Sequence, residues 1–244
     1  MVEVPAGFSL TNRLLLYASL LLTPGQAISG IGSNLPTNVG FLAYNWYNQC
    51  SWYFAIKNNQ LHALSLLPVH FNTIYAITYL GGVTSGNIFL GIVLGCGTAA
   101  LMIFNTVAAW MSWATNMSEG YNVYEFFFFG WRKLTPGWHT FFLLWQIGDT
   151  ALAITCVVSA ISISIAVTQE DSNESENNFL SWCGLYTVGS GIVLFLAWPL
   201  ILWVELIISR NHIESPTDMI AVWLFVAQIG TMVLPAIPYF IKGI

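Results

Sequence analysis

Asp149 is the only charged side chain between Thr140 and Val167, in the stretch TFFLLWQIGDTALAITCVVSAISISIAV. Burial among such neighbours disfavours the charged form of a carboxyl. Asp149 is therefore expected to stay protonated near neutral pH and to serve as a general acid. Helical spacing puts Phe142, Trp145, Gln146, Leu152, Ala153 and Cys156 on the same face. Gln146, at i−3, is the candidate orienting partner, and Trp145, at i−4, part of an aromatic wall that includes Phe142. The chain is rich in aromatic residues, with 11 Trp, 10 Tyr and 16 Phe. Such a wall stabilises a developing carbocation, by up to ~2 kcal/mol per ring when desolvated. An acid in an oily, water-poor, aromatic cavity is the equipment for protonating a lipid epoxide or alkene. The plain alternative is a protonated aspartic acid that hydrogen-bonds a neighbouring helix, and residue types alone do not separate the two.

Glu205, in Trp203-Val-Glu-Leu206, is the second acid inside an apolar run and the second candidate for acid–base work. It lies near Arg210, so its side chain is expected to reach the membrane interface. His70, Asn72, Trp46 and Asn48 are candidates for contact with a substrate. Asn45 and Asn105 complete the polar set, although a lone polar residue in a span more often bonds a neighbouring helix. The four histidines show no pairing one helical turn apart, so no metal site is expected. No nucleotide loop or other cofactor motif is present, and no cofactor is expected. Cys50, Cys96, Cys156 and Cys183 are scattered and read as small packing residues.

These residues need helices to hold them. Of the 244 residues, 56% are hydrophobic and 7% charged, with a mean hydropathy of +0.68. A soluble domain carries about 25% charged residues. In lipid the backbone must bond to itself, and continuous apolar runs select helices over a barrel. The expected fold is all-α: one polytopic helix bundle over 1–244 with spans near 9–30, 37–56, 60–80, 86–115, 138–168, 180–209 and 218–241. The count falls to six if Arg13, Leu14–Leu22 and Gly25-Gln-Ala27 form a cleaved signal, but a retained first helix is the preferred reading. With seven spans, Arg13, Lys57, Arg132, Lys133 and Arg210 share one side, leaving Lys242 on the other. By the positive-inside rule that side, with the amino terminus, is cytoplasmic. The acidic loop Glu170–Glu176, with its sequon at Asn173, then faces the lumen. Residues 121–131, YNVYEFFFFGW, are expected to lie in the headgroup layer, and Gly91-x-x-x-Gly95 to admit a close neighbour helix. A net charge of −5 gives no reason to expect nucleic acid.

Trp46-Tyr-Asn48, Leu66-Leu-Pro68, Asn72 and Tyr75 resemble the fungal integral-membrane terpene cyclases, and Arg210, Ser215 and Trp223 match more loosely. The resemblance implies a small seven-helix protein that closes prenyl chains without metal, in the endoplasmic reticulum. Where that family has an acid after the aromatic residue this chain has Ala76, and the family's aspartate in a final helix has no counterpart before Ile244. Neither acid carries over, which leaves Asp149 as the candidate. The leading expectation is a membrane cyclase or isomerase of a prenylated or other lipophilic substrate, its partners being that small molecule and the bilayer. The competing one is a non-enzymatic transporter, receptor-like protein or structural subunit in which Asp149 is a relay or an interhelical hydrogen bond.

Overall fold

The computed structural model describes residues 9–22, 39–58, 88–115, 121–169 and 201–233, with positions 188, 191, 192, 195, 198 and 199. These residues are mostly helical, in keeping with an all-α bundle. In chain order they form α1 (Leu10–Leu21), α2 (Val39–Lys57), α3 (Ile88–Thr115), strands β1 (Glu125–Phe127) and β2 (Trp131–Lys133), and α4 (Pro136–Gln169). A helix α5 follows over 201–210, then α6 (Met219–Val233). The expected third span, with His70, Asn72 and Tyr75, lies outside the described residues, as do the acidic loop with its sequon and Cys183.

Caps fix where the helices begin. Ser9 Oγ accepts from the Asn12 amide at 3.2 Å and opens α1. Asp218 Oδ1 accepts from the amides of Ile220 and Ala221 and opens α6. Close approach needs the absence of a side chain at Gly40, where an added Cβ would stand 2.9 Å from the Gln228 Cα. Gly95 is buried, and Gly97 meets Leu42.

Contacts give the relative directions of α1, α2, α3, α4 and α6. Asn12 meets Asp218 and Ser19 meets Gln228, so α1 and α6 run the same way. Gly40 meets Gln228, Tyr44 packs on Phe225, and Tyr47 bonds Asp218, so α2 runs against α6. Leu42 meets Gly97, while Trp46 and Tyr53 both lie against Phe104, so α2 and α3 run together. Trp113 stacks on His139 and Trp110 bonds Thr150, which makes α3 and α4 antiparallel. Arg13, Lys57, Arg132, Lys133 and Arg210 therefore gather at one end of the bundle.

Among the described residues two helices are long and apolar enough to cross a membrane, Ile92–Thr115 and Pro136–Ser162, and Met219–Val233 is a shorter apolar helix. On α4 the exposed apolar residues Leu144, Ile147, Ile154, Val158, Ile161 and Ile165 recur at helical spacing. From Leu144 to Ile165 the helix rises about 32 Å, close to the thickness of a bilayer's hydrocarbon core. Hydroxyls on this surface bond back along the helix: Thr155 to the Ala151 carbonyl and Ser159 to that of Thr155, each at 2.9 Å.

The segment expected to lie at the interface is a β-hairpin. Glu125 pairs with Lys133, Phe126 with Arg132 and Phe127 with Trp131. Gly130, at φ +133°, makes the turn, which no side chain tolerates easily. Phe126 points inward and is buried with Leu134, Phe142 and Ile207, while Phe129 is 91% exposed. The hairpin is tied to α5 by the Trp203 indole, which donates to the Phe127 carbonyl at 2.6 Å, and by Arg210, which pairs with Glu125 at 2.7 Å.

Candidate functional site

Asp149 is buried, at 8% exposure, on the inward stripe of α4 that carries Phe142, Gln146, Ala153 and Ala160. The face read from the sequence was too broad. Trp145 and Leu152 sit at its margin and turn outward, 39% and 45% exposed. Trp145 instead neighbours Phe141, in an aromatic group with Trp138 and Phe128 at the cationic end. The aromatic side chains buried in the main core are Tyr17, Tyr44 and Trp52, contributed by α1 and α2.

Across from Asp149, α3 turns Asn105 and Ser112 inward, both fully buried. They are seven residues apart, about 10 Å along the axis. The Trp110–Thr150 hydrogen bond, 2.9 Å, sets the level of the two helices. It brings Asp149 level with the α3 turn between Asn105 and Ser112. From α2, Gln49 enters the same interior at 0% exposure. Neither amide atom of Gln49 or Asn105 has a hydrogen-bond partner, and neither have Ser112 Oγ and Gln146 Nε2. The Gln146 amide nitrogen therefore does not orient the Asp149 carboxyl in this state. Buried polar groups are almost always satisfied.

The other candidates are engaged in packing. The Trp46 indole donates to the Gly97 carbonyl at 3.1 Å and its ring stacks on Phe104. The Asn48 amide bonds back to the Tyr44 carbonyl at 2.9 Å. Trp46 thus joins α2 to α3, and Asn48 is held to its own helix. A groove of about 260 Å³ opens between α3 and α4, lined by Ile103, Thr106, Val107, Thr150, Ala153, Ile154, Val157 and Val158. It is aliphatic, not aromatic, and its threonine hydroxyls are spent on the Met102 and Gln146 carbonyls. It suits a hydrocarbon chain on the outer side of the helix pair whose inner side carries Asp149. Among the described residues no three His, Cys, Asp or Glu side chains come together as a metal set requires.

The chain matches no family model, no curated protein and no solved structure. Geometry alone must therefore rank the acids.

Glu205 is not exposed at the interface as a snorkelling residue would be. Arg13 Nε reaches Glu205 Oε1 at 2.7 Å, Arg13 Nη2 reaches Oε2 at 3.0 Å, and the Tyr17 hydroxyl donates to Oε1 at 2.6 Å. Both carboxylate oxygens are taken, which suits a clamp between α1 and α5 better than proton transfer to a substrate. Beside it the Asn12 side chain holds both backbone groups of Asp218, donating to its carbonyl at 3.1 Å and accepting from its amide at 2.9 Å. The Tyr47 hydroxyl donates to Asp218 Oδ2 at 2.7 Å. Sequence reasoning missed this network because its members come from distant segments. It also missed Gln49, whose signal was its place on the Leu42, Trp46, Tyr53 stripe of α2.

Proposed function

We propose that the protein is a seven-span membrane protein that takes a lipophilic substrate into the bundle and isomerises or cyclises it, with Asp149 as the acid. The observation that carries the reading is Asp149 buried on the inward stripe of α4 beside unsatisfied interior amides.

Two further observations support the span count and the setting. The helix over Pro136–Ser162 is apolar yet mostly unburied in the protein, which suits a helix facing lipid. Among the described helices the consecutive pair α2 and α3 run the same way, which suits the seven-span reading. The gathering of cations at one bundle end supports a cytoplasmic amino terminus under the positive-inside rule. An endoplasmic reticulum location belongs to the same proposal, through the resemblance to fungal membrane cyclases.

In the reaction, the Asp149 carboxyl gives its proton to an epoxide oxygen or a terminal alkene carbon of the substrate. The C–O or π bond opens to a tertiary carbocation, and a neighbouring alkene closes on it. Loss of a proton to the Asp149 carboxylate ends the sequence with no net change in composition. Tyr44 and Trp52 supply the interior ring faces. The test is expression of the full chain in a host without such activity, fed with prenylated epoxides. Asp149→Asn should fold and abolish cyclised product. Full turnover in that variant would remove Asp149 as the acid, and proton-coupled uptake without product would assign it to a transport relay.

A further inference from the structure

The cationic end of the bundle carries the hairpin, whose contacts fix how it is aimed. At its base the Glu125 carboxylate is held by Arg210, and the Glu125 backbone exchanges two hydrogen bonds with the Asn211 side chain, at 2.9 and 2.7 Å. The Phe127 carbonyl accepts from Trp203, which lies about 10 Å back along α5 from Arg210. β1 therefore runs from the charged end toward the middle of the bundle, and the exposed tip at Phe129 points the same way. Cross-strand partners share a face, so Lys133 lies beside Glu125 and Trp131 beside Phe127, on the side away from buried Phe126. The Arg210 guanidinium sits 5.2 Å from the centre of the Trp131 ring, and its bond to Glu125 uses Nε. Arg132 and Lys133 are exposed, and neither makes an ion pair among the described residues. The acids nearby are Glu125, already paired, and the exposed Glu214, so cations are in excess.

We propose that the hairpin base, through Lys133 and the Trp131-backed Arg210, docks the phosphate of an anionic membrane phospholipid, while the aromatic tip sits among lipid chains. The proposal rests on the reading of the bundle as membrane-spanning, and not on the chemistry of Asp149. Charge complementarity selects the occupant, because anionic lipids concentrate in the cytoplasmic leaflet and attract each basic residue near its surface. Stacking on Trp131 and the bond to Glu125 hold the guanidinium in place, so little freedom is lost when its terminal nitrogens meet phosphate oxygens. The order along the hairpin also fits a lipid, with cations at the bundle end and rings deeper toward its middle. A zwitterionic lipid brings no net charge to this surface and is held less well, and a dissolved phosphate has no chains to meet the rings.

The probes are spin-labelled phosphatidylserine and phosphatidylcholine at trace level in phosphatidylcholine bilayers that hold the full chain. The fraction of each label slowed at the protein surface gives their relative affinity. The wild-type protein should prefer phosphatidylserine by about threefold or more at low salt, falling toward parity near about 1 M salt. Lys133→Gln and Lys57→Gln each remove one exposed positive charge from the same end, the first on the hairpin and the second on α2. Lys133→Gln should lose most of the preference and Lys57→Gln should keep it, with both unfolding in detergent near the wild-type temperature. Equal losses in the two variants would mean that the bundle end attracts anionic lipid through its summed charge, which overturns the hairpin site. No preference in the wild type, with the protein retained in the bilayer through an alkaline wash, also overturns it. These cations then belong to solvent ions or an acidic protein, and the span reading stands. Loss of the protein from the bilayer in that wash removes the span reading and the lipid site together.

Discussion

Replacing Arg13 by methionine should release α1 from the bundle by an amount the geometry sets. The guanidinium makes two charge-assisted hydrogen bonds to Glu205, at 2.7 and 3.0 Å, and the side chains of the pair are 12% and 28% exposed. Removing one member of a fully buried pair costs about 3–5 kcal/mol, mostly because the other charge is left unpaired. Glu205 is about a quarter exposed and keeps the Tyr17 hydroxyl at 2.6 Å, so part of that penalty is recovered. The expected loss is about 2–3 kcal/mol. For a chain of this size 1 kcal/mol corresponds to roughly 2–4 °C in unfolding temperature, so a fall of about 4–12 °C follows. Glu205→Gln keeps an acceptor for Tyr17 and leaves the longer, more adaptable Arg13 unpaired, so it should cost less, about 1–2 kcal/mol. The double variant carries no unpaired charge and should be more stable than the sum of the single losses predicts, by roughly 1–2 kcal/mol. Thermal unfolding in detergent of the wild type and all three variants completes the cycle. Additive losses, or an Arg13→Met protein within about 0.5 kcal/mol of wild type, would refute the clamp.

The two close-approach glycines should behave differently under the same substitution. At Gly40 an added methyl meets the Gln228 backbone at 2.9 Å, so Gly40→Ala must part α2 from α6 and cost about 1–3 kcal/mol in chemical denaturation. At Gly97 it meets only the tip of Leu42, at 2.7 Å, which can turn aside, so Gly97→Ala should lie within about 1 kcal/mol of wild type. Equal losses at the two sites would contradict the close backbone contact. Phe129, at 91% exposure on the hairpin, should tolerate Phe129→Cys without loss of stability, and a polarity-sensitive dye on that thiol should emit as in lipid once the protein is in bilayers. Emission as in water would place the hairpin tip away from the membrane. Burial raises the Tyr124 phenol above its ordinary value, so its packing is fully in force below about pH 10 and is lost as the pH climbs past that. Tyr124→Phe should therefore shift alkaline unfolding of the hairpin to higher pH, and an unchanged alkaline limb would show that another group controls it.

How far the site could be read from the sequence depends on how far apart its parts lie along the chain. Asp149 was legible because a single charge in an apolar run stands out locally, and helical period alone put Phe142, Gln146 and Ala153 beside it. The same period could not say where the buried face ends, so Trp145 and Leu152 were drawn in although they lie at its edge and turn outward. Glu205 was read from its neighbour Arg210, whereas its partner is Arg13, 192 residues away, and no one-dimensional pattern reports that pairing. The hairpin was missed as strand because Phe126 alone is buried between exposed and half-exposed neighbours over three residues, too short a run to show a period of two.

This difference between local and distant signals bears on which acid does chemistry. Glu125 is paired with Arg210, Glu205 with Arg13, and Asp218 caps α6 while holding Tyr47, all at the cationic end where the helices are fastened together. Asp149 lies deeper on α4, past Phe142 and Gln146 and level with the turn between Asn105 and Ser112. The fastening acids should be interchangeable with neutral hydrogen-bonding residues at a cost in stability alone. The interior acid should be interchangeable at a cost in function alone. Glu205→Gln should therefore unfold at lower temperature yet turn over substrate per folded molecule as the wild type does, and Asp149→Asn should show the reverse. If Glu205→Gln loses turnover while the folded fraction is intact, the proton comes from the cationic end of the bundle and the interior site only binds.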